Sequence, residues 1–260
     1  MTQPIVQSRL PFAARMDPRL ARLPGVLPLA GAAWLQTDDA FATQMAERDR
    51  LLAQSPQTVC AMQDSALPAA AELYEAVLAH LGREPGYAVG ATAVLRPDGV
   101  KVALDPGQPL MTLGRLVQED LCLMEKHGDA HVLTGAVLCF PASWSLSEKL
   151  GRPLLGIHIP VKTYDSDIAR RVQRLFDGIR VEQPLWRANA LTYRDPTLHQ
   201  PRREGDPRTD RRGGAYVRSE RQCLVRLPKS QAVVFSIHTY VVSIDTLSDA
   251  ERAGLADARL

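Results

Sequence analysis

Residues 215–227, AYVRSERQCLVRL, and 232–244, AVVFSIHTYVVSI, are two long runs rich in β-branched and aromatic side chains, joined by Pro228-Lys229-Ser230-Gln231. Runs of that composition on either side of a turn-forming tetrapeptide read as an antiparallel hairpin. A turn closing at Leu227 and Ala232 sets Arg221 opposite His238 and Cys223 opposite Ser236, and directly opposed residues share a face. One face then carries Ser219, Arg221, Cys223, Ser236, His238 and Tyr240; the other carries Arg218, Glu220 and Gln222 against Val241, Thr239 and Ile237. Arg218-Ser219-Glu220-Arg221 is a polar row inside a strand otherwise made for burial. Such groups must pair with one another or bind something, so the hairpin is both a frame for the fold and a candidate site.

Outward from the hairpin, HVLTGAVLCF (131–140) is too apolar for an edge strand and belongs in the middle of a sheet. A short hairpin is predicted over 88–104 across Pro97-Asp98-Gly99. Helices are predicted from an Asp38 or Asp39 cap to about Gln54, from Pro68 to Leu81, over 113–126 (LGRLVQEDLCLMEK), after Pro141 with Ser145 as cap and Glu148 at the capping-box position, and over Asp165–Ile179. PLLGIHIPV (153–161) reads as extended, and the Arg-, Pro- and Gly-rich run between Thr197 and Gly214 as a surface loop. Five prolines before Leu35 predict an extended N-terminal arm over 1–35, followed by a single domain over 36–246 and a tail over 247–260 that forms one short helix. The sum is an α+β protein whose antiparallel sheet carries its helices largely on one face.

The totals remove several classes of function. The 260 residues, 45% hydrophobic, supply one large core, and 31 basic against 29 acidic residues leave a formal charge of +2, which gives no case for a nucleic-acid surface. No signal-type apolar segment opens the chain and no run of about 18 apolar residues spans a membrane, so a cytoplasmic protein is expected. Cys60, Cys122, Cys139 and Cys223 lie far apart with no CxxC pair, which argues against a zinc ribbon or iron–sulfur cluster in this chain and for buried free thiols. Walker, GxGxxG, HExxH, GxSxG and CxxCH motifs are absent.

Chemistry therefore falls to isolated residues. His80 and His127 sit near predicted helix ends and His131 opens a buried strand, all suited to structural roles. His158, in GIHIPV, stands in an apolar setting where a proline ends pairing; His238 stands among the polar residues of the hairpin; His199, in TLHQPRR, reaches out from a loop.

LGRLVQEDLCLMEK, LTGAVLCFPASWSLSEKLGRPL, IHIPVKTY, DPTLHQPRRE and YVRSERQCLVRLP…AVVFSIHTYVV together resemble the haem-dependent oxidative N-demethylase family, with a likeness running from about Leu10 to Val242. The resemblance implies a PAS-like antiparallel sheet with flanking helices holding a non-covalent haem b. It further implies dioxygen as co-substrate, electrons from a flavin and iron–sulfur partner subunit, and demethylation of a small secondary amine such as dimethylamine with release of formaldehyde. Such a site asks for one axial ligand, an open distal position and arginines for the propionates. His158 suits the axial role first, His238 second and His199 third, with Cys223 as a thiolate alternative. Arg218 and Arg221, with Arg187 in reserve, are expected to pair the propionates, and Glu220 to hold the protonated amine. The rival expectation is a PAS-like haem or small-ligand sensor that performs no chemistry; a homo-oligomer is compatible with either.

Overall fold

The computed structural model describes residues 3–12, 17–21, 25–30, 33–158, 166–207 and 213–256, the side chains of Pro18, Ala21, His158, residues 166–169 and Ala256 excepted. Its strands, in chain order, are β1 (Leu27–Pro28), β2 (Cys60–Met62), β3 (Ala88–Val89), β4 (Ala93–Leu95), β5 (Lys101–Ala103), β6 (Asp120–His127), β7 (Ala130–Val137), β8 (Leu185–Ala188), β9 (Leu191–Tyr193), β10 (Tyr216–Arg226) and β11 (Val233–Ser243). The helices are α1 (Pro18–Ala21), α2 (Phe41–Gln54), α3 (Pro56–Val59), α4 (Leu67–Leu81), α5 (Pro109–Gly114), α6 (Leu146–Lys149), α7 (Leu154–His158), α8 (Ser166–Gly178) and α9 (Asp249–Ala256). No helix among the described residues is long and apolar enough to cross a membrane.

The β10–β11 hairpin forms in the expected register, with Arg221 opposite His238 and Cys223 opposite Ser236. It lies inside an antiparallel sheet ordered β1-β8-β10-β11-β6-β7-β2, in which β9 shares the outer side of β10 with β8. A second sheet, β3-β4-β5, contains the hairpin expected over 88–104.

Alternation along the strands separates two apolar layers. Leu121, Leu123, Val137, Cys223 and Val234 pack with residues of α2, α4 and α5; their neighbours Cys122, Met124, Ala136, Leu224 and Val233 pack with Leu146, Leu154, Phe176 and Ile179 from the α6–α8 region. Helices therefore cover both faces, which corrects the expectation of one covered face. A strand buried on both sides loses its period-two pattern, and that also accounts for 113–126. The apolar run taken for a helix is the end of α5 followed by β6, whose residues 120–124 are all buried. The extended segment expected over 153–161 is likewise corrected in part, since α7 occupies Leu154–His158, and residues 159–161 lie outside the described residues.

The opening segment is tied to the sheet through Gln7, whose backbone N–H donates to Val241 O (2.8 Å) and whose side-chain oxygen accepts from Val241 N (2.8 Å).

Candidate functional site

The polar row of β10 divides between the two faces. Arg218, Glu220 and Gln222 project to the side of Leu224 and the α6–α8 layer, where Arg187 of β8 stands opposite Gln222 and donates to its Oε1 at 3.3 Å. Glu220 is half-buried. Its Oε2 accepts from Asn189 Nδ2 (3.2 Å) and Gln222 Nε2 (2.9 Å), whereas among the described residues Oε1 meets only Arg218 Nε, at 3.9 Å. Arg218 is 3% exposed and spends its Nη groups on two carbonyls, Leu198 O at 2.9 Å and Phe140 O at 2.5 Å. Among the described residues its Nε has no hydrogen-bond partner, and neither has Oγ1 of Thr239, the residue directly opposite Glu220. Two orphaned buried polar atoms flanking a carboxylate oxygen with no close donor form a recess in hydrogen bonding that a polar ligand would complete.

The carbonyls that Arg218 grips belong to two segments lying side by side. Ala142 pairs with Gln200, Gln200 N donates to Pro141 O and Ser143 N to Gln200 O. Within this junction His199 donates from Nδ1 to Cys139 O at 2.8 Å, since a carbonyl only accepts. Nε2 has no partner among the described residues, and with the proton on Nδ1 it carries the lone pair. Beneath it, Asp120 accepts from Cys139 N (2.7 Å), Phe140 N (2.9 Å) and the fully buried Arg48 Nη1 (2.7 Å).

On the opposite face His238 is buried between two carboxylates, its Nδ1 2.8 Å from Glu119 Oε1 and its Nε2 3.0 Å from Asp38 Oδ2. Burial alone would lower its pKa, but Glu119 and Asp38 outweigh burial and raise it to about 9. The ring is therefore an imidazolium donating from both nitrogens, with no lone pair for a metal, and the second-ranked axial candidate is corrected accordingly. A cavity of about 310 Å³ bordered by Gln7, Asp38 and Tyr240 lies on this side of the sheet, away from Glu220. Because the folded pKa lies above the ordinary 6.5, the stabilisation His238 provides is complete below about pH 6.5 and is lost as pH rises through about 9. The urea midpoint of the protein is expected to fall across that window, and His238→Gln to be less stable at pH 6.5 with a flatter profile above it.

Two further expected roles do not fit. Arg221 donates to Ala33 O (2.7 Å) and Cys223 Sγ (3.2 Å) and lies over the Trp186 ring, on the face opposite Glu220, so it is committed to structure rather than to a propionate. Cys223 is free and buried, and burial pushes its thiol up to about 12 despite Arg221, which leaves no thiolate at neutral pH. His127 ends β6, not a helix. His158 is the last residue of α7, and its side chain lies outside the described residues.

The structure thus brings Glu220, Arg218 and Arg187 to one face, with His199 held one residue beyond Leu198, an Arg218 acceptor. Sequence reasoning missed Asn189 and Asp120. Asp120 sat in the run misread as a helix, and Asn189 lies just past a four-residue strand too short to announce itself.

Among the described residues no group of three or more His, Cys, Asp or Glu is placed to hold a metal ion, whereas a haem iron requires a single axial side chain and cations for its carboxylates. Arg187 and the polar stripe beside it fit such a group. A family model described as haem-dependent oxidative N-demethylase, alpha subunit-like, matches residues 25–258. With nearly the whole sheet and its helical layers inside that match, the chain belongs to the haem-dependent oxidative N-demethylase alpha subunit-like family.

Proposed function

We propose that this chain is the haem-binding subunit of an oxidative N-demethylase, holding haem b without a covalent link and acting on a small secondary amine such as dimethylamine. The observation that carries the proposal is the set around Glu220 that the described residues leave unsatisfied: a carboxylate oxygen without a close donor, an orphaned Arg218 Nε and an orphaned Thr239 Oγ1, all on a helix-covered sheet face. A sensor that only binds haem has no need of a carboxylate poised in this way. The family's PAS-like arrangement is an antiparallel sheet with flanking helices, and an antiparallel sheet with helical layers is the architecture found here.

His158 is the proposed axial ligand. It ends α7, a short helix that packs against β7 and α8 and buries Leu154 in the layer over the Glu220 face. Arg187, opposite Gln222 on the Glu220 face, would pair a propionate. When bound, haem supplies dioxygen activation and oxidation of the carbon next to nitrogen; formaldehyde leaves as the product. Glu220 Oε1 receives an N–H of the protonated amine, with Oε2 fixed by Asn189 and Gln222 so that the carboxylate does not rotate away. Thr239 Oγ1 is available to the polar groups of substrate or dioxygen. The electrons come from a partner subunit carrying flavin and an iron–sulfur cluster.

The test is formaldehyde release from dimethylamine by the haem-loaded protein with an electron donor. A hydrogen bond to a charged group contributes about 1.5–3 kcal/mol, so Glu220→Gln is expected to lower kcat/KM by roughly 10- to 100-fold with haem content unchanged. Normal turnover in that variant would remove Glu220 from the substrate site. Stoichiometric haem with no amine turnover in the native protein would favour the sensor instead.

A further inference from the structure

Beyond Val137 the chain leaves β7, and Cys139 and Phe140 run through the interior at 0% and 2% exposure. Buried N–H groups there need acceptors, and Asp120 provides both. Oδ1 accepts from Cys139 N and is shared with Arg48 Nη1; Oδ2 accepts from Phe140 N alone among the described residues. The peptide unit whose N–H reaches Oδ2 is the one whose carbonyl, that of Cys139, accepts from His199 Nδ1. Carboxylate, peptide and imidazole therefore form one continuous row.

Hydrogen bonds in a row polarise one another. The carboxylate draws on the Phe140 N–H and sends electron density to the Cys139 oxygen, and the more negative oxygen draws on Nδ1–H and enriches Nε2. The undivided oxygen of Asp120 is the one on this row, since Arg48 takes the other. The backbone on either side of the ring is fixed as well, by Arg218 Nη1 on Leu198 O (2.9 Å) and by Gln200 N on Pro141 O (3.2 Å).

We infer that Asp120 is a positioning residue which, through the Cys139–Phe140 peptide, holds His199 as its Nδ1–H tautomer and makes Nε2 a stronger proton acceptor, on the residue that follows Leu198, whose carbonyl Arg218 holds. What the acceptor serves rests on the proposed function. A dialkylammonium must lose a proton before its nitrogen lone pair is available; the N–H bond breaks, its electrons stay on nitrogen, and the proton passes to Nε2 to give the imidazolium. The row itself does not depend on that reading.

The experiment is ¹⁵N NMR of the full chain, with no haem or amine added, the His199 signals being assigned by their loss in His199→Ala. In the native protein the uncharged His199 ring is expected to carry its proton on Nδ1 and none on Nε2. In Asp120→Asn the Nδ1–H proton should move upfield; in His199→Ala, which leaves Asp120 in place, the Phe140 amide proton should move upfield in turn. His199 protonated at Nε2 in the native protein would overturn the tautomer lock. A Phe140 amide indifferent to His199→Ala would overturn the relay, and this second readout stands even where Asp120→Asn does not fold. A failed amine assay alongside a responsive row would reject only the demethylase reading.

Discussion

Asp120→Ala is expected to destabilise the protein by about 3–5 kcal/mol, the cost of breaking a buried ion pair by removing one partner. Arg48 is 0% exposed and its Nη1 lies 2.7 Å from Asp120. Its remaining contacts, Nε to Gly114 O at 2.9 Å, Nη1 to Gln118 O at 3.2 Å and the Phe140 ring 5.4 Å from its carbon, are neutral and do not replace a counter-charge. The same change strands the Cys139 and Phe140 N–H groups, which have no strand partner to turn to. Against a total stability of roughly 5–15 kcal/mol for a domain, that is a large fraction. Urea unfolding measures it as a drop in midpoint at constant slope. A loss below about 1 kcal/mol would place Asp120 with ordinary surface substitutions and deny the junction its proposed rigidity.

The second large effect concerns iron. His158→Ala is expected to cut dimethylamine turnover by more than about 100-fold, because even residues that only support a metal ligand cost about 10- to 100-fold when removed. Turnover per molecule, followed as formaldehyde, reads this directly. Near-normal turnover would rule out His158 as the residue that holds the iron.

The hairpin was legible because its two strands are long, alternate in character and meet at a turn whose closure sets the register; once Arg221 was placed opposite His238, the division of Arg218 and Glu220 from Ser219 and Arg221 followed. What could not be read was which face carries the proposed site. Polar residues appear on both, and only three-dimensional pairing separates His238, saturated by Glu119 and Asp38, from Glu220, whose Oε1 lacks a close donor among the described residues. Asp120 was hidden for a different reason. A strand buried on both faces shows no alternation, so β6 resembled a helix and its first residue had no visible task. His199 stood in a loop, where sequence gives no indication of the carbonyl that orients a ring.

The most direct test of the haem reading is an absorption spectrum of the protein expressed with haem supplied, compared among the native chain and the His158→Ala, His199→Ala and His238→Ala variants. A stoichiometric Soret band is expected in the native protein, shifted or lost in His158→Ala, and kept in position in the other two. A native protein without such a band would contradict it, and so would a band untouched by His158→Ala.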